Sequence, residues 1–225
     1  MKVAQEKAMS AVLEVPKGVC EGKRLLTPED LLRMPKEERR RYELVDGQLV
    51  EKGMAATSSA VGAKLIASLA SYVEQTQAGL VFQSEQGYQC FPGRPRTVRF
   101  PDVSFIRRER LRPEMAEGHI RVAPDLVVEV LSPNDVSREV SRRIRDYLEA
   151  GVRVLWVVDC EARTVQVYRQ GRQGVILTEA DELEGEEVLP GFRVAVRELF
   201  RPLALLQPSE PTPSQQSDAG AAERG

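Results

Sequence analysis

The sequence predicts a mixed α/β fold in which a central mixed β-sheet is flanked by helices. Three observations carry that prediction. Leu126-Val127-Val128-Glu129-Val130-Leu131 and Val154-Leu155-Trp156-Val157-Val158-Asp159 are apolar runs separated by a charged helical stretch. Such a strand–helix–strand crossover implies a parallel pair and a right-handed connection. From Ser58 to Glu74, Val61, Leu65, Leu69 and Val73 recur at helical spacing. Tyr42 to Glu51 sets two short strand-like runs about Asp46-Gly47, a strong hairpin signal. At 225 residues and 42% hydrophobic, the chain can bury one good core, so one domain with extensions is expected.

Residues 1–24 lack a clear period and read as a variable extension, helical near Ala8 to Leu13, ahead of a domain over 25–203. Thr27-Pro28-Glu29-Asp30 starts a short helix to Met34: Thr27 caps, Pro28 suits the first helical position, and Asp30 is placed for a capping box. After the charged segment Lys36 to Arg41 come the hairpin and the amphipathic helix. Strands are expected at Leu80 to Gln83, Tyr88 to Phe91, Val98 to Ile106 and Leu126 to Leu131. Ser132-Pro133-Asn134-Asp135 should cap a helix running to Ala150, with Gly151 as its stop. Val154 to Asp159 reads as a buried strand whose hairpin partner is Thr164 to Tyr168. Val175 to Thr178 and Phe192 to Val196 read as edge strands. The tail, 204–225, is dominated by Pro, Ser, Gln, Ala and Gly from Gln207 onward and is expected to be disordered.

A net charge of −2 is not the global signature of a nucleic-acid binder, so any DNA contact needs a local basic face. Arg107, Arg108, Arg110 and Arg112, and Arg138, Arg142, Arg143 and Arg145, offer two such faces or are matched by neighbouring acids. The three cysteines, Cys20, Cys90 and Cys160, form no CxxC pair, which fits a reducing cytoplasm. His119 is the only histidine and reads as a surface-loop residue; its isolation argues against His-dependent hydrolases and His-rich zinc sites. No apolar stretch approaches the ~20 residues of a membrane span, and Met1 to Ser10 has no apolar secretion core.

Two carboxylates stand where a soluble protein normally has Val or Leu. Asp102 follows Pro101 in Val98-Arg99-Phe100-Pro101-Asp102-Val103-Ser104-Phe105-Ile106, and Glu129 interrupts the apolar run Leu126 to Leu131. An unpaired carboxylate in a low-dielectric interior costs several kcal/mol, so it usually holds a proton, a cationic partner or a metal. Two such acids at strand ends have the order of a divalent-metal site. Mg²⁺, or Mn²⁺ in its place, takes oxygen ligands at about 2.0–2.1 Å and keeps several waters, so Asp102, Glu129 and the carbonyl of Val130 suffice. The plainer alternative is one acid at an exposed strand end and the other paired to an arginine.

Tyr42-Glu43-Leu44-Val45-Asp46-Gly47, Pro101-Asp102-Val103-Ser104-Phe105, Ala123-Pro124 through Leu131-Ser132-Pro133, and Gly151-Val152 through Asp159 together resemble the Uma-two family, bacterial restriction-endonuclease-like proteins of the PD-(D/E)XK nuclease superfamily. The resemblance spans Leu26 to Phe200. It implies a restriction-endonuclease-like core, a Mg²⁺-dependent centre that hydrolyses DNA by in-line water attack, and a homodimer. Asp102 and Glu129 would ligate metal and Glu43 would add an acid. The superfamily's lysine, two residues after the second acid, is Leu131 here. In this family it lies on the next helix, four residues before a tyrosine, and that position is Arg143, ahead of Tyr147. Glu139, Arg143 and Tyr147 share one helical face. Every lysine lies at or before Lys64, so none follows the acids. Arginine binds phosphate but does not relay protons. A catalytically impaired module that binds DNA or protein is therefore the alternative to an active endonuclease, and a purely structural domain is the third reading.

Overall fold

The computed structural model describes residues 24–206 except Met54. The expected extension and the tail beyond Leu206, including the stretch Ala8 to Leu13, lie outside the described residues. Residues 204–206, expected in the tail, end a 3₁₀ turn spanning Arg201–Leu206.

Two short helices open the chain, α1 (Pro28–Arg33) and α2 (Lys36–Arg39). Thr27 and Asp30 form the capping box, each side chain meeting the other's backbone N–H. Then follow β1 (Tyr42–Val45), β2 (Gln48–Glu51) and α3 (Ala56–Thr76). Asp46 and Gly47 both have positive φ, +51° and +84°. That geometry suits a two-residue hairpin turn and fixes the register Val45↔Gln48, Glu43↔Val50. The central sheet uses β3 (Gly79–Gln83), β4 (Val103–Arg107), β5 (Leu126–Leu131), β6 (Val154–Asp159), β7 (Thr164–Arg169) and β8 (Val175–Leu177), in that spatial order. Only β5 and β6 are parallel, joined through α4 (Ser137–Glu149). The expected mixed sheet with flanking helices is what the chain forms.

Side-chain alternation splits the core in two. Leu126, Val128 and Val130 of β5, with Val154, Trp156 and Val158 of β6, pack on Val61, Leu65 and Leu69 of α3. Val127, Leu155 and Val157 point the other way, where Tyr147, Val140 and Ile144 of α4 cover them. Each fully buried aliphatic side chain contributes about 1.5–3 kcal/mol. Glu129 therefore belongs, by parity, to the face under α4.

Four local expectations are corrected. Val98 to Ile106 is not one strand: β4 begins at Val103, and Val98 and Arg99 make only isolated bridges, to Leu44 and Tyr88. Pro101 lacks the N–H that would continue the ladder. Tyr88 to Phe91 likewise contributes single bridges at Tyr88. The segment near Phe192 pairs away from the central sheet: β9 (Glu182–Glu184) and β10 (Arg193–Ala195) form a separate two-stranded sheet. It leads into α5 (Val196–Phe200), whose Val196, Leu199 and Phe200 join the α3 core. Finally, α4 has no side-chain cap; Asp135 instead turns back to accept from the N–H and hydroxyl of Ser132, both at 2.8 Å.

Candidate active site

The β4–β5 ladder is antiparallel with Val103 opposite Val128. Continued one step past its end, that register would set Asp102 opposite Glu129, and the charge of Asp102 is felt at Glu129. Asp102 is half-buried and its Oδ2 accepts from the Val130 N–H at 2.7 Å. Glu129 is buried. Its Oε1 accepts from the Tyr147 hydroxyl and its Oε2 from Arg143, both at 2.9 Å. Arg143 and Tyr147, four apart on α4, thus grip one carboxylate from one helical face. Arg143 also pairs with Asp135. Glu139, on the same face, makes no ion pair with Arg143; its nearest cation is Arg138 at 3.7 Å.

Glu43 reaches the same region because the hairpin is hydrogen-bonded to the segment before β4: the Leu44 N–H donates to Val98 O at 3.0 Å, and the Val98 N–H donates back at 2.7 Å. Glu43 is buried, with Oε1 accepting from the Phe100 N–H at 3.0 Å and Oε2 from Arg99 at 2.6 Å. It is not a solvated strand residue paired to its neighbours. Arg40 pairs with Glu37, and Arg41 with Glu51.

Arg99 is buried and bridges Glu43 to Asp146, to which its Nε donates at 3.1 Å. Asp146 also pairs with Arg94, and Arg94 in turn meets Asp46, which Arg142 caps at 2.7 Å. A ladder of alternating charges thus runs from the surface to Glu43. Asp146 is one of the neighbouring acids expected to match the second arginine run; sequence reading missed Arg99, which looks like an ordinary polar strand residue.

It also missed Lys52. The Lys52 N–H continues the hairpin by donating to Arg41 O at 2.8 Å, and its Nζ donates to Phe100 O at 2.7 Å. The signal was present: the Asp46-Gly47 turn fixes the register, and register puts Lys52 on the face that carries Glu43 and Val50. Its distance from Asp102 and Glu129 along the chain hid it.

The three acids titrate differently. Burial pushes the Glu129 carboxyl up to about 7, against the pull of Arg143 and with help from the charges of Asp102 and Glu43. Burial also raises Asp102, against Lys52, the Val130 N–H and Arg143. For Glu43 burial acts the same way, but Arg99, Lys52 and Arg143 outweigh it and hold the carboxyl below the ordinary range. Arg143 stays charged because Glu129, Glu43 and Asp135 offset its burial.

Among the described residues, no group of three or more His, Cys, Asp or Glu side chains is arranged to hold a metal ion. The two-acid arrangement still fits a magnesium-type cation. Both donors are hard oxygens, Asp102 is bonded to the residue that follows Glu129, and both carboxyls are pushed toward protonation by burial, the condition a nearby cation would relieve. Magnesium keeps several waters and needs only one or two carboxylates.

His119 is elsewhere and is no free surface residue. Its ring is half-buried edge-on to Phe100 at 5.8 Å, its Nε2 finds no partner among the described residues, and burial lowers its pKa. Several of the arginines in the two runs are matched: Arg110 meets the buried Asp125 at 2.8 Å, and Arg107 meets the same carboxylate at 4.0 Å. Cys90 and Cys160 are free thiols, and no helix among the described residues is long and apolar enough to cross a membrane.

Among solved structures, the chain is similar to one described as "a putative nuclease belonging to DUF820 from Anabaena variabilis". The TM-score is 0.66 at 22% identity, over 78% of this chain and 98% of that one, a likeness of fold. No curated protein matches the chain. The model of the Uma2 family, described as "Putative restriction endonuclease", matches residues 28–197. With that match spanning most of its length, the chain belongs to the Uma2 family of restriction-endonuclease-like proteins.

Proposed function

We propose that this protein is a metal-dependent DNA endonuclease, that its domain covers residues 25–203, and that Asp102 and Glu129 hold Mg²⁺ or Mn²⁺ with the Val130 carbonyl. The observation that carries this reading is that Asp102 is bonded to the N–H of Val130, the residue after the buried Glu129, and acts on the Glu129 carboxyl by its charge, at the end of the sheet where Glu43 also arrives. When bound, the cation would supply a hydroxide at neutral pH and neutralise charge on the phosphoryl group. In the overall reaction a water oxygen bonds to phosphorus while the P–O bond to one sugar oxygen breaks. The water releases one proton to solvent and the leaving oxygen takes one up.

The chain's own residues divide the remaining work. Asp102 is oriented by the Val130 N–H, which engages one of its oxygens. Glu129 is oriented by Tyr147 and Arg143. Glu43, held as an anion by Arg99, supplies fixed negative charge beside them. Arg143 sits near the scissile phosphate as a fixed cation and passes no proton. The reading includes a homodimer in a reducing cytoplasm.

A plasmid-nicking assay tests it. Wild type should convert supercoiled DNA only with Mg²⁺ or Mn²⁺ present, and Asp102→Ala should abolish conversion. Metal-independent nicking, or full activity in Asp102→Ala, contradicts it. One observation favours a second reading. Arg143 already meets both Glu129 and Asp135, and a fixed positive charge on Glu129 opposes a metal ion there, as in a catalytically impaired module that binds DNA or protein without cutting. DNA binding with no nicking under any divalent metal would select that reading.

A further inference from the structure

Three cations act on the acidic cluster, and two are already committed. Arg99 is tied to Glu43 and Asp146, and Arg143 to Glu129 and Asp135. Lys52 differs. Its charge is felt by the same acids: it helps to hold Glu43 low and pulls against the burial that raises Asp102 and Glu129. Yet among the described residues no carboxylate oxygen lies within ion-pair distance of its Nζ, whose hydrogen bond goes to a neutral carbonyl, Phe100 O. An ammonium has three N–H donors, so that bond leaves two for another acceptor. Phe100 is two residues from Asp102 and its own N–H holds Glu43, so the carbonyl ties Lys52 to the segment that links those two acids.

The backbone that carries Lys52 is fixed independently. Gly53 packs so closely on the turn after β5 that an added Cβ would lie 2.3 Å from Ser132 Oγ and 3.3 Å from Asp135 Oδ2. That turn also supplies the Asp135 carboxylate that meets Arg143. The hairpin exit is thus docked on the end of the sheet where Glu129 and Asp102 lie.

We infer that Lys52, delivered by the N-terminal hairpin, is a further catalytic residue of this centre, its ammonium contacting a non-bridging oxygen of the phosphodiester beside Asp102 and Glu129. The inference rests on the nuclease reading above. Lys52 supplies the uncommitted cation that neither Leu131 nor the ion-paired Arg143 provides. Its part is electrostatic: it donates to phosphate oxygens whose charge grows as the water oxygen approaches phosphorus.

The test compares wild type, Lys52→Met and Lys52→Arg by single-turnover plasmid nicking in Mn²⁺, Mn²⁺ calorimetry without DNA, and thermal melting. Losing one such donor typically costs about 10²–10³ in rate, and Lys52→Met should slow nicking by that much. Its Mn²⁺ affinity should be unchanged or several-fold tighter, because a like charge next to the cation is gone. Lys52→Arg should recover most of the rate. Unaltered nicking by Lys52→Met overturns the inference while leaving the nuclease reading intact. Parallel losses of melting temperature and Mn²⁺ affinity in both variants make Lys52 structural and overturn it as well. A wild type that never nicks defeats the nuclease reading first, and the assignment of Lys52 with it.

Discussion

Replacing Arg99 with Met would take a cation from two buried carboxylates at once. Arg99 is 1% exposed, Glu43 3% and Asp146 4%, so solvent cannot take over the lost interaction. Breaking a buried pair by removing one partner typically costs about 3–5 kcal/mol. The lower end applies, because Asp146 keeps Arg94 and Glu43 keeps the Phe100 N–H. For a domain of this size about 3 kcal/mol corresponds to a fall of roughly 6–12 °C in melting temperature. The pH dependence carries a second signature. In the wild type the pKa of Glu43 is held below its ordinary 4.5, so its contribution is present above that value and is lost as pH falls through the folded pKa. In Arg99→Met burial is less opposed and the folded pKa rises. Glu43 then stabilises at low pH and destabilises as pH rises. The penalty measured by urea unfolding should therefore be largest at pH 7 and shrink toward pH 4. A penalty under about 1 kcal/mol, or one independent of pH, would refute the claim that Arg99 holds Glu43 as an anion.

Glu129 should act in the opposite sense. Its folded pKa is raised to about 7 from 4.5, so metal-free stability is lost as pH rises from about 4.5 through 7, and urea unfolding of Glu129→Gln should show a flatter profile over that window. Gly53→Ala should cost about 1–3 kcal/mol, the usual cost of overpacking, because the new methyl collides with Ser132 Oγ; Ser132→Ala in the same chain should remove most of the collision, since Ser132 Cβ stands 3.5 Å away. A Gly53→Ala penalty unchanged by Ser132→Ala would count against that packing. Trp156→Ala should destabilise by about 3–5 kcal/mol by leaving a cavity between the sheet and α3, read by denaturant midpoint at constant slope.

Much of this was legible in the amino-acid order because periodicity and placement are local signals. The apolar run around Glu129, the helical spacing of α3 and the Asp46-Gly47 turn each define an element without reference to the rest. Positions 143 and 147 on one helical face follow from 3.6 residues per turn. What stayed hidden depends on contacts between distant segments. Arg99 becomes a buried bridge only because Leu44 pairs with Val98 and brings Glu43 against it. Lys52 is remote from Glu129 along the chain and joins it only through hairpin register and the close approach of Gly53. α5 escaped notice because its five residues are too few for a helical period, although Leu199 and Phe200 pack into the main core.

The central claim is that Asp102 and Glu129 form one divalent-cation site. Calorimetric titration of Mn²⁺ into the metal-free protein at pH 8, where Glu129 is mostly ionised, tests it most directly. Wild type should bind one ion per chain and the Asp102→Asn, Glu129→Gln double variant none, with the fold retained. Equal binding by wild type and the double variant would contradict it.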